Sequence, residues 1–238
     1  MGVAFAVVIF IGSQFLVGLL LSLIPLAFGW SDTRTKAWFD SNLQAHIVFY
    51  VLLGALIIFA TKYFLKWQGS DFKTIGLRRP KWTDPLYSLA VFPAYIVIFA
   101  LITTLIKALV PSLNIVQAQD LGFSSNYYGV QLVLIAVALV VIAPVTEEII
   151  FRGLIFGSLK KGTSLLGAAV ITSLVFAAGH LLEGGSGGLL YIAAIDTFVL
   201  SLALVYLRQK TGGLWASIGL HALKNGVAFV SLFVLHAH

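Results

Sequence analysis

Carboxylate, imidazole and amide side chains interrupt three stretches of sequence that are otherwise apolar. The residues concerned are Glu147, Glu148, Arg152, His180, His221 and Asn225. A charged or imidazole side chain at the depth of a bilayer is costly unless it has a partner, and such side chains commonly mark functional sites in membrane proteins. The six residues therefore predict a reaction or binding site inside a membrane.

The two adjacent glutamates are predicted to have different tasks. Neighbouring residues on a helix point in different directions, whereas residues four apart share a face. Glu148 and Arg152 stand at positions i and i+4, in the order that favours an ion pair. Burial of that pair would compensate both charges and fix the rotation of the helix. Glu147 then faces a different direction and is the candidate catalytic carboxylate.

His221 and Asn225 also stand four apart, so an imidazole and an amide project side by side. Opposite Glu147 and His180, this arrangement suits the hydrolysis of a peptide bond. Glu147 would take a proton from a water molecule held by His180. His221 and Asn225 would hydrogen-bond the oxyanion that develops on the peptide carbonyl.

A zinc site is the second interpretation of the same side chains. Two histidines and one glutamate, here Glu147, His180 and His221, form a known zinc ligand set that leaves a fourth position for water. The compact His-Glu-x-x-His helix is missing, so the ligands would come from three separate helices. The residues alone leave both interpretations open.

The elements that must position these residues are membrane-spanning helices. Apolar residues make up 60% of the 238 residues and charged residues 10%, against roughly half and a quarter in an ordinary soluble domain. A transmembrane helix needs about 20 apolar residues. Such runs lie near 3–28, 46–64, 86–110, 129–157, 164–182, 189–207 and 213–234. The sequence therefore predicts an all-α, polytopic transmembrane helical bundle of about seven spans, within a range of six to eight.

Basic residues concentrate in alternate links between these runs, at 62–85, 158–163 and 208–212. The three links hold ten of the fifteen Lys and Arg residues. Lys and Arg are enriched on the cytoplasmic side of membranes. The charge bias therefore predicts a cytoplasmic N-terminus and a C-terminus outside.

The net charge of +6 fits anionic lipid headgroups better than nucleic acid, because the basic residues lie beside apolar spans. The chain contains no cysteine, which excludes a disulfide or a thiolate nucleophile. A Gly-rich phosphate loop and a dinucleotide fingerprint are also missing from the sequence. We therefore expect an integral, multi-pass membrane protein whose partners are the lipid bilayer and a substrate, with no nucleic acid.

The chain is predicted to divide near residue 125. Residues 1–125 contain three spans with almost no internal charge and a basic link with two tryptophans, suited to the membrane interface. Residues 126–238 contain four spans and all six candidate site residues. The first part is interpreted as a scaffold and the second part as the catalytic core.

Three motifs in the second part resemble those of a known family. Glu-Glu-Ile-Ile-Phe-Arg at 147–152, preceded by Ala-Pro and followed by Gly, resembles its EExxxR motif. Phe-Ala-Ala-Gly-His at 176–180 resembles its FxxxH motif, and His-Ala-Leu-Lys-Asn at 221–225 resembles its HxxxN motif. The family is the CPBP family of CAAX proteases and bacteriocin-processing enzymes, also called Abi proteins. The resemblance covers roughly residues 128–232.

The resemblance implies an intramembrane endopeptidase that acts on a peptide or protein with a hydrophobic or lipidated segment. It also implies water activation by Glu147 and His180, and oxyanion binding by His221 and Asn225. Members of the family are described both as metalloproteases and as glutamate proteases. A zinc ion bound by Glu147, His180 and His221 therefore stays open.

Two other functions are compatible with polar residues in membrane spans. An ion-coupled transporter would commonly show two related halves with broken helices, whereas the polar residues here lie in one half. A non-proteolytic immunity or binding protein of the same fold would be expected to lack a motif residue. All six are present, which favours the protease.

Two further expectations concern residues inside the spans. Lys224 is expected to pair with Asp196 or to extend its ammonium toward the cytoplasmic face. At 1.5 Å per residue, His180 lies about 28 Å from Lys161, whereas Glu147 lies about 20 Å from Lys160. The fifth span is therefore expected to tilt, to begin deeper than Lys161, or to end in a buried break at residues 184–188.

Overall fold

Eight helices make up most of the part of the protein that the structure describes. The computed structural model describes residues 1–115, 117, 123, 127–181 and 188–235. The helices are α1 (Gly2–Ala27), α2 (Asp32–Ser41), α3 (Leu43–Trp67), α4 (Asp84–Leu109), α5 (Val130–Leu159), α6 (Leu165–Leu181), α7 (Tyr191–Thr211) and α8 (Trp215–Val234). No strand occurs in these residues, and the predicted all-α class is confirmed.

Six helices in the described residues are long and apolar enough to cross a membrane, namely α1, α3, α4, α5, α7 and α8. Helix α6 is also apolar but has 17 residues, whereas a full crossing needs about 20. The seven predicted apolar runs thus correspond to seven apolar helices, of which the fifth is short. The predicted polytopic helical bundle is confirmed.

The short helix α2 was not predicted from the apolar runs, because capping residues define it. The hydroxyl of Ser31 accepts a hydrogen bond from the backbone N–H of Arg34 at 3.3 Å. At the other end, the side chain of Asn42 accepts one from Ala45 at 2.9 Å and begins α3. Such side chains satisfy backbone donors that the first turn of a helix leaves unpaired.

Helix α5 alternates between two types of turn. Its π-helical turns occupy Val137–Ile142 and Ile149–Ile155, and the α-helical segment Ala143–Glu148 lies between them. Pro144 stands in the first turn of that segment, where a residue without an N–H is tolerated. π turns are rare and are often found at functional sites. Here they lie on both sides of the two adjacent glutamates.

The three basic links lie together at one end of the bundle. The Lys160 ammonium donates to the side-chain oxygen of Gln209 at 3.0 Å. The Arg78 guanidinium donates to the backbone oxygen of Thr211 at 2.9 Å. Links that the charge bias placed on one side of the membrane are therefore in contact with each other.

The N-terminus lies at this same end, because Gly2 is adjacent to the side chain of Ser158 in the second basic link. Helix α8 begins beside these links and runs to the opposite end. The relative positions of the links, of Gly2 and of the end of α8 at Val234 therefore agree with an odd number of crossings. The assignment of this end to the cytoplasmic side is a prediction from the charge bias.

The helices of the first part pack directly on those of the second. Helix α1 contacts α3 and α5, and α4 contacts α7 and α8. The ring of Phe5 stacks on Phe64 with centroids 3.8 Å apart, and Phe10 meets Phe151 edge-on at 5.2 Å. The predicted boundary at residue 125 lies outside the described residues, as does most of the predicted break at 184–188.

Candidate active site

Four of the six candidate residues line one cavity. Its volume is about 250 Å³, and Glu147, His180, His221 and Asn225 form part of its wall. These residues come from α5, α6 and α8, which are far apart in sequence. The hydrolysis hypothesis requires a carboxylate, two imidazoles and an amide to lie together. The structure brings these four groups to one cavity.

Glu148 and Arg152 lie behind the cavity wall. An Arg152 guanidinium nitrogen donates to the Glu148 Oε1 oxygen at 2.8 Å, and both side chains are 0% exposed. The ion pair predicted from their spacing is confirmed. Neither residue lines the cavity, so the pair acts on the cavity through its neighbours.

His221 connects the buried ion pair to the cavity. Its Nδ1 nitrogen lies 3.1 Å from Glu148 Oε1, and its Nε2 nitrogen lies 3.7 Å from Glu147 Oε2. A carboxylate accepts hydrogen bonds, so Nδ1 carries the proton between His221 and Glu148. Nε2 is then an acceptor when the ring is neutral and a donor when the ring is an imidazolium.

His180 is oriented by the backbone of its own helix. Its Nδ1 nitrogen lies 3.0 Å from the carbonyl oxygen of Phe176. Because a carbonyl oxygen only accepts, Nδ1 is the donor, and Nε2 is the acceptor in a neutral ring. His180 therefore has a nitrogen suited to accept a hydrogen bond from water.

The depth of His180 agrees with one of the three expected explanations. Helix α6 begins at Leu165 rather than at Lys161, so His180 lies about 22 Å along the helix from its first residue. Glu147 lies about 18 Å from the end of its own helix, so this length of about 22 Å matches the Glu147 distance better than the distance of about 28 Å from Lys161 does. His180 and Glu147 line the same cavity.

Asn225 is held by a backbone group of α5. Its Nδ2 nitrogen donates to the carbonyl oxygen of Leu139 at 2.9 Å. Leu139 lies in the first π turn of α5, so an irregular turn supplies the acceptor that orients the amide. A primary amide has two N–H donors, which leaves one for a group bound in the cavity.

Phe176 packs against three side chains of the site. It is 1% exposed, and its ring centroid lies 4.7 Å from that of His180 and 5.8 Å from that of His221. The guanidinium of Arg152 lies over the same ring at 4.5 Å, within the range of a cation–π contact. Phe176 therefore has a packing role in the site, and its ring contacts both imidazoles.

A second, larger cavity opens beside Glu147 and His180. Its volume is about 560 Å³, and these two residues also line the first cavity. The remaining wall is mostly apolar and comes from α1, α5 and α6. The contribution of α1 had no signal in the sequence, since that helix carries no motif.

A further polar cluster adjoins the first cavity. The Lys224 ammonium lies 3.2 Å from Asp196 Oδ2, and the hydroxyl of Tyr95 donates to Asp196 Oδ1. The predicted pairing of Lys224 with Asp196 is confirmed. Tyr95 was not predicted, because it stands 101 positions before its partner in an apolar helix.

The positions of the donor atoms decide whether a metal ion fits the cavity. Within the described residues, no three His, Asp or Glu side chains converge closely enough to hold one ion. Glu147, His180 and His221 share a cavity wall. The contact with Glu148 leaves His221 Nε2 as the one nitrogen that could bind a metal, and a metal ligand uses one nitrogen. As these side chains stand, they do not form a three-ligand site, and zinc binding stays a prediction.

Comparisons with known proteins agree with the motifs. Residues 129–227 match the model of the family described as type II CAAX prenyl endopeptidase Rce1-like. Over 85 residues the chain is 36% identical to the Bacillus subtilis (strain 168) protein named "Putative membrane peptidase YdiL", an alignment that covers 36% of this chain and 32% of that protein. The chain thus aligns with about a third of that relative's length.

No solved structure matches the chain. All six candidate residues lie inside the matched segment, and the family is the one that the three motifs indicated. Residues 129–227 are therefore similar to the Rce1-like type II CAAX prenyl endopeptidase family.

Proposed function

We propose that this protein is an intramembrane endopeptidase that hydrolyses a peptide bond with water activated by Glu147 and His180. The observation that carries the proposal is the convergence of Glu147, His180, His221 and Asn225 on one cavity within a bundle of apolar helices. Buried ionisable groups at this depth are costly and mark function. The similarity of residues 129–227 to the CAAX prenyl endopeptidase family supports the same reaction.

The first step is the addition of water to the scissile carbonyl. His180 accepts a hydrogen bond from the water through Nε2, and Glu147 takes a proton from it. The water oxygen forms a bond to the carbonyl carbon, and the electron pair of the C=O bond moves to its oxygen. The remaining N–H of Asn225 then donates to that oxyanion. A His221 ring that is protonated before the reaction would add a second donor through Nε2–H.

The second step breaks the carbon–nitrogen bond. The oxyanion electron pair re-forms the C=O bond, and the amine leaves. Glu147 gives the proton that it took from water to this amine, so the enzyme returns to its starting state. The products are a new carboxyl group, whose remaining proton passes to the amine or to solvent, and a new amino terminus.

Glu148 and Arg152 position His221 rather than touch the substrate. Glu148 accepts from His221 Nδ1 at 3.1 Å, which sets the direction of Nε2. Arg152 compensates the charge of Glu148 at 2.8 Å. Groups that orient another side chain in this way are required for precise geometry although they lie outside the reacting atoms.

The substrate class follows from the second cavity. A polar cavity with the catalytic residues and an apolar cavity of about 560 Å³ meet at Glu147 and His180. A peptide whose reacting bond lies in the first cavity places a neighbouring hydrophobic or lipid-modified side chain in the second. The proposed substrate is therefore a peptide or protein with a hydrophobic or lipidated segment near the scissile bond.

Cleavage of a proteome-derived peptide library, analysed by mass spectrometry, tests the function. The detergent-purified wild type is compared with Glu147→Ala, His180→Ala and His221→Ala. His46→Ala is the matched control, because His46 Nδ1 contacts the carbonyl of Asn42 at 2.9 Å as His180 contacts Phe176. Loss of a general base lowers rates by about 10²–10⁴-fold, and we expect this loss in the first three variants only.

Each outcome has a distinct meaning. Cleavage by the wild type and the His46 variant alone supports the proposal, and equal cleavage by Glu147→Ala contradicts the mechanism. A library left intact by the wild type favours a non-proteolytic binding protein. The same assay with a zinc chelator, followed by zinc addition, decides whether Glu147, His180 and His221 hold a metal.

A further inference from the structure

Two arginines at the basic end of the bundle pack against glycines of each other's segments. Arg78 belongs to the link between α3 and α4, and Arg208 lies in the last turn of α7. A β-carbon added at Gly76 would lie 2.5 Å from the Cζ atom of Arg208. One added at Gly213 would lie 2.7 Å from the Cζ atom of Arg78. Each guanidinium therefore lies where a residue larger than glycine would meet it.

The two guanidinium groups differ in their partners. Arg78 lies 3.4 Å from Asp84 and donates to the backbone oxygen of Thr211 at 2.9 Å. Within the described part of the chain, Arg208 forms no ion pair, and its buried Nε has no hydrogen-bond partner. The positive charge of Arg78 also repels that of Arg208. One carboxylate therefore serves two guanidinium groups.

The surroundings of Arg208 are costly unless an anion binds there. A buried donor that makes no hydrogen bond loses the free energy of its contact with water, and a partly buried charge needs a compensating charge. The C-terminal end of a helix favours a cation, but it provides no acceptor for the Arg208 Nε–H. An anion in contact with both arginines would supply the acceptor and the negative charge together.

A phosphate group is the anion that suits this pair best, because a guanidinium binds phosphate oxygens through two parallel hydrogen bonds. The pair lies where the membrane-spanning helix α7 ends. Trp82, in the same link as Arg78, is 80% exposed. Tryptophans and basic residues beside spans lie at the level of the lipid headgroups. A phospholipid is therefore the nearest source of phosphate.

We propose that Arg78 and Arg208 bind the phosphate group of an anionic phospholipid at this end of the bundle. The lipid headgroup joins the link between α3 and α4 to the end of α7. Asp84 is a positioning residue, since it holds the Arg78 guanidinium from the side of α4. The site is independent of the proposed endopeptidase function.

The bound lipid would reinforce a contact that the protein already makes. The N–H of Leu214 donates to the backbone oxygen of Gly76 at 2.9 Å, and the indole N–H of Trp215 donates to the backbone oxygen of Arg78. Leu214 and Trp215 form the start of α8. A phosphate that holds Arg78 and Arg208 together therefore stabilises the beginning of the helix that carries two residues of the candidate active site.

The unfolding temperature of the protein in maltoside micelles tests the site. The micelles contain dioctanoyl phosphatidylglycerol or dioctanoylglycerol, which has the same chains without the phosphate, and a third sample contains inorganic phosphate at matched ionic strength. A ligand at about 100 times its Kd shifts the unfolding equilibrium about 100-fold, which raises the unfolding temperature of a chain of this size by about 5–10 °C. We expect this rise with phosphatidylglycerol alone.

Two matched variants locate the effect. Arg208→Gln removes the guanidinium that has no carboxylate partner and is expected to abolish the rise. Arg79→Gln is the control, because Arg79 is an exposed arginine directly beside Arg78, and it is expected to retain the rise. The readout is the rise that the lipid causes in each variant, so a different unfolding temperature without lipid does not affect it.

Each result decides the proposal. The expected pattern is a rise that requires both the phosphate of the lipid and Arg208. The same rise with dioctanoylglycerol, an equal rise in Arg208→Gln, or no rise in the wild type would overturn the site. An Arg208-dependent rise with inorganic phosphate alone would overturn the lipid as the source and assign the site to free phosphate. None of these measurements uses peptide cleavage, so a failure of the proposed function leaves the result unchanged.

Discussion

The imidazole of His221 and the carboxylate of Glu148 are 3.1 Å apart although the two residues are 73 positions apart in the chain. This contact joins α8 to α5 inside the bundle. It also links the cavity to a fully buried Glu148–Arg152 pair. The geometry of the candidate site therefore depends on a charge pair that a substrate does not reach.

Replacement of Glu148 by glutamine is expected to lower both stability and activity. Arg152 would remain buried without a compensating charge, and breaking a buried pair costs about 3–5 kcal/mol. The glutamine would also present a weaker acceptor to His221. The unfolding temperature of the detergent-solubilised protein and the cleavage rate measure the two effects.

The double variant Glu148→Met with Arg152→Met separates stability from positioning. It removes both buried charges, and apolar replacements of similar size are often neutral or stabilising. We expect an unfolding temperature above that of Glu148→Gln, and no recovery of the cleavage rate, because His221 still lacks its acceptor. Wild-type activity in the double variant would contradict the positioning role of Glu148.

Replacement of Asn225 by alanine is expected to lower kcat by about 10²–10³-fold, the effect of removing one oxyanion donor. KM should change little, because the hydrogen bond forms as the oxyanion develops. Asn225→Asp is the matched variant: it preserves the shape of the side chain, but an ionised carboxylate donates no hydrogen bond. A rise in KM with unchanged kcat in both variants would instead assign Asn225 to substrate binding.

Replacement of Phe176 by alanine is expected to cost about 3–5 kcal/mol of stability and to lower kcat in the protein that remains folded. The ring contacts both imidazoles, so its removal allows them to move. Phe156→Ala is the control, because Phe156 is 2% exposed and packs in a separate cluster of α5, α6 and α7. Assays below both unfolding temperatures should show a loss of kcat for Phe176→Ala alone.

The orientation of the bundle is open to a direct test, because the chain contains no cysteine. Gly162→Cys places a thiol in a basic link where the added side chain meets no neighbour within 4 Å. Thr33→Cys places an exposed thiol near the opposite end of α1. We expect a membrane-impermeant maleimide to label Thr33→Cys in intact cells and Gly162→Cys only after the membrane is opened, since basic links favour the cytoplasmic side. The reverse pattern would invert the topology.

The sequence by itself determined the helices and the motif residues, because both depend on local signals. Runs of about 20 apolar residues indicate transmembrane helices whatever surrounds them. A spacing of four placed Glu148 beside Arg152, and the charge bias placed three links on one side. The same logic failed for α2, whose boundaries depend on the caps Ser31 and Asn42 rather than on apolar residues.

Only the tertiary structure decided which candidate residues face the cavity and which lie behind it. Adjacent positions on a helix predict that the Glu147 and Glu148 side chains point in different directions. The packing of α5 against α8 decides that Glu147 faces the cavity and that Glu148 contacts His221 Nδ1. Tyr95 and α1 enter the site region through contacts between distant parts of the chain. Such contacts form because apolar helices bury complementary surfaces against each other. The sequence pattern of one helix identifies its apolar face, but it does not identify which other helix packs on that face.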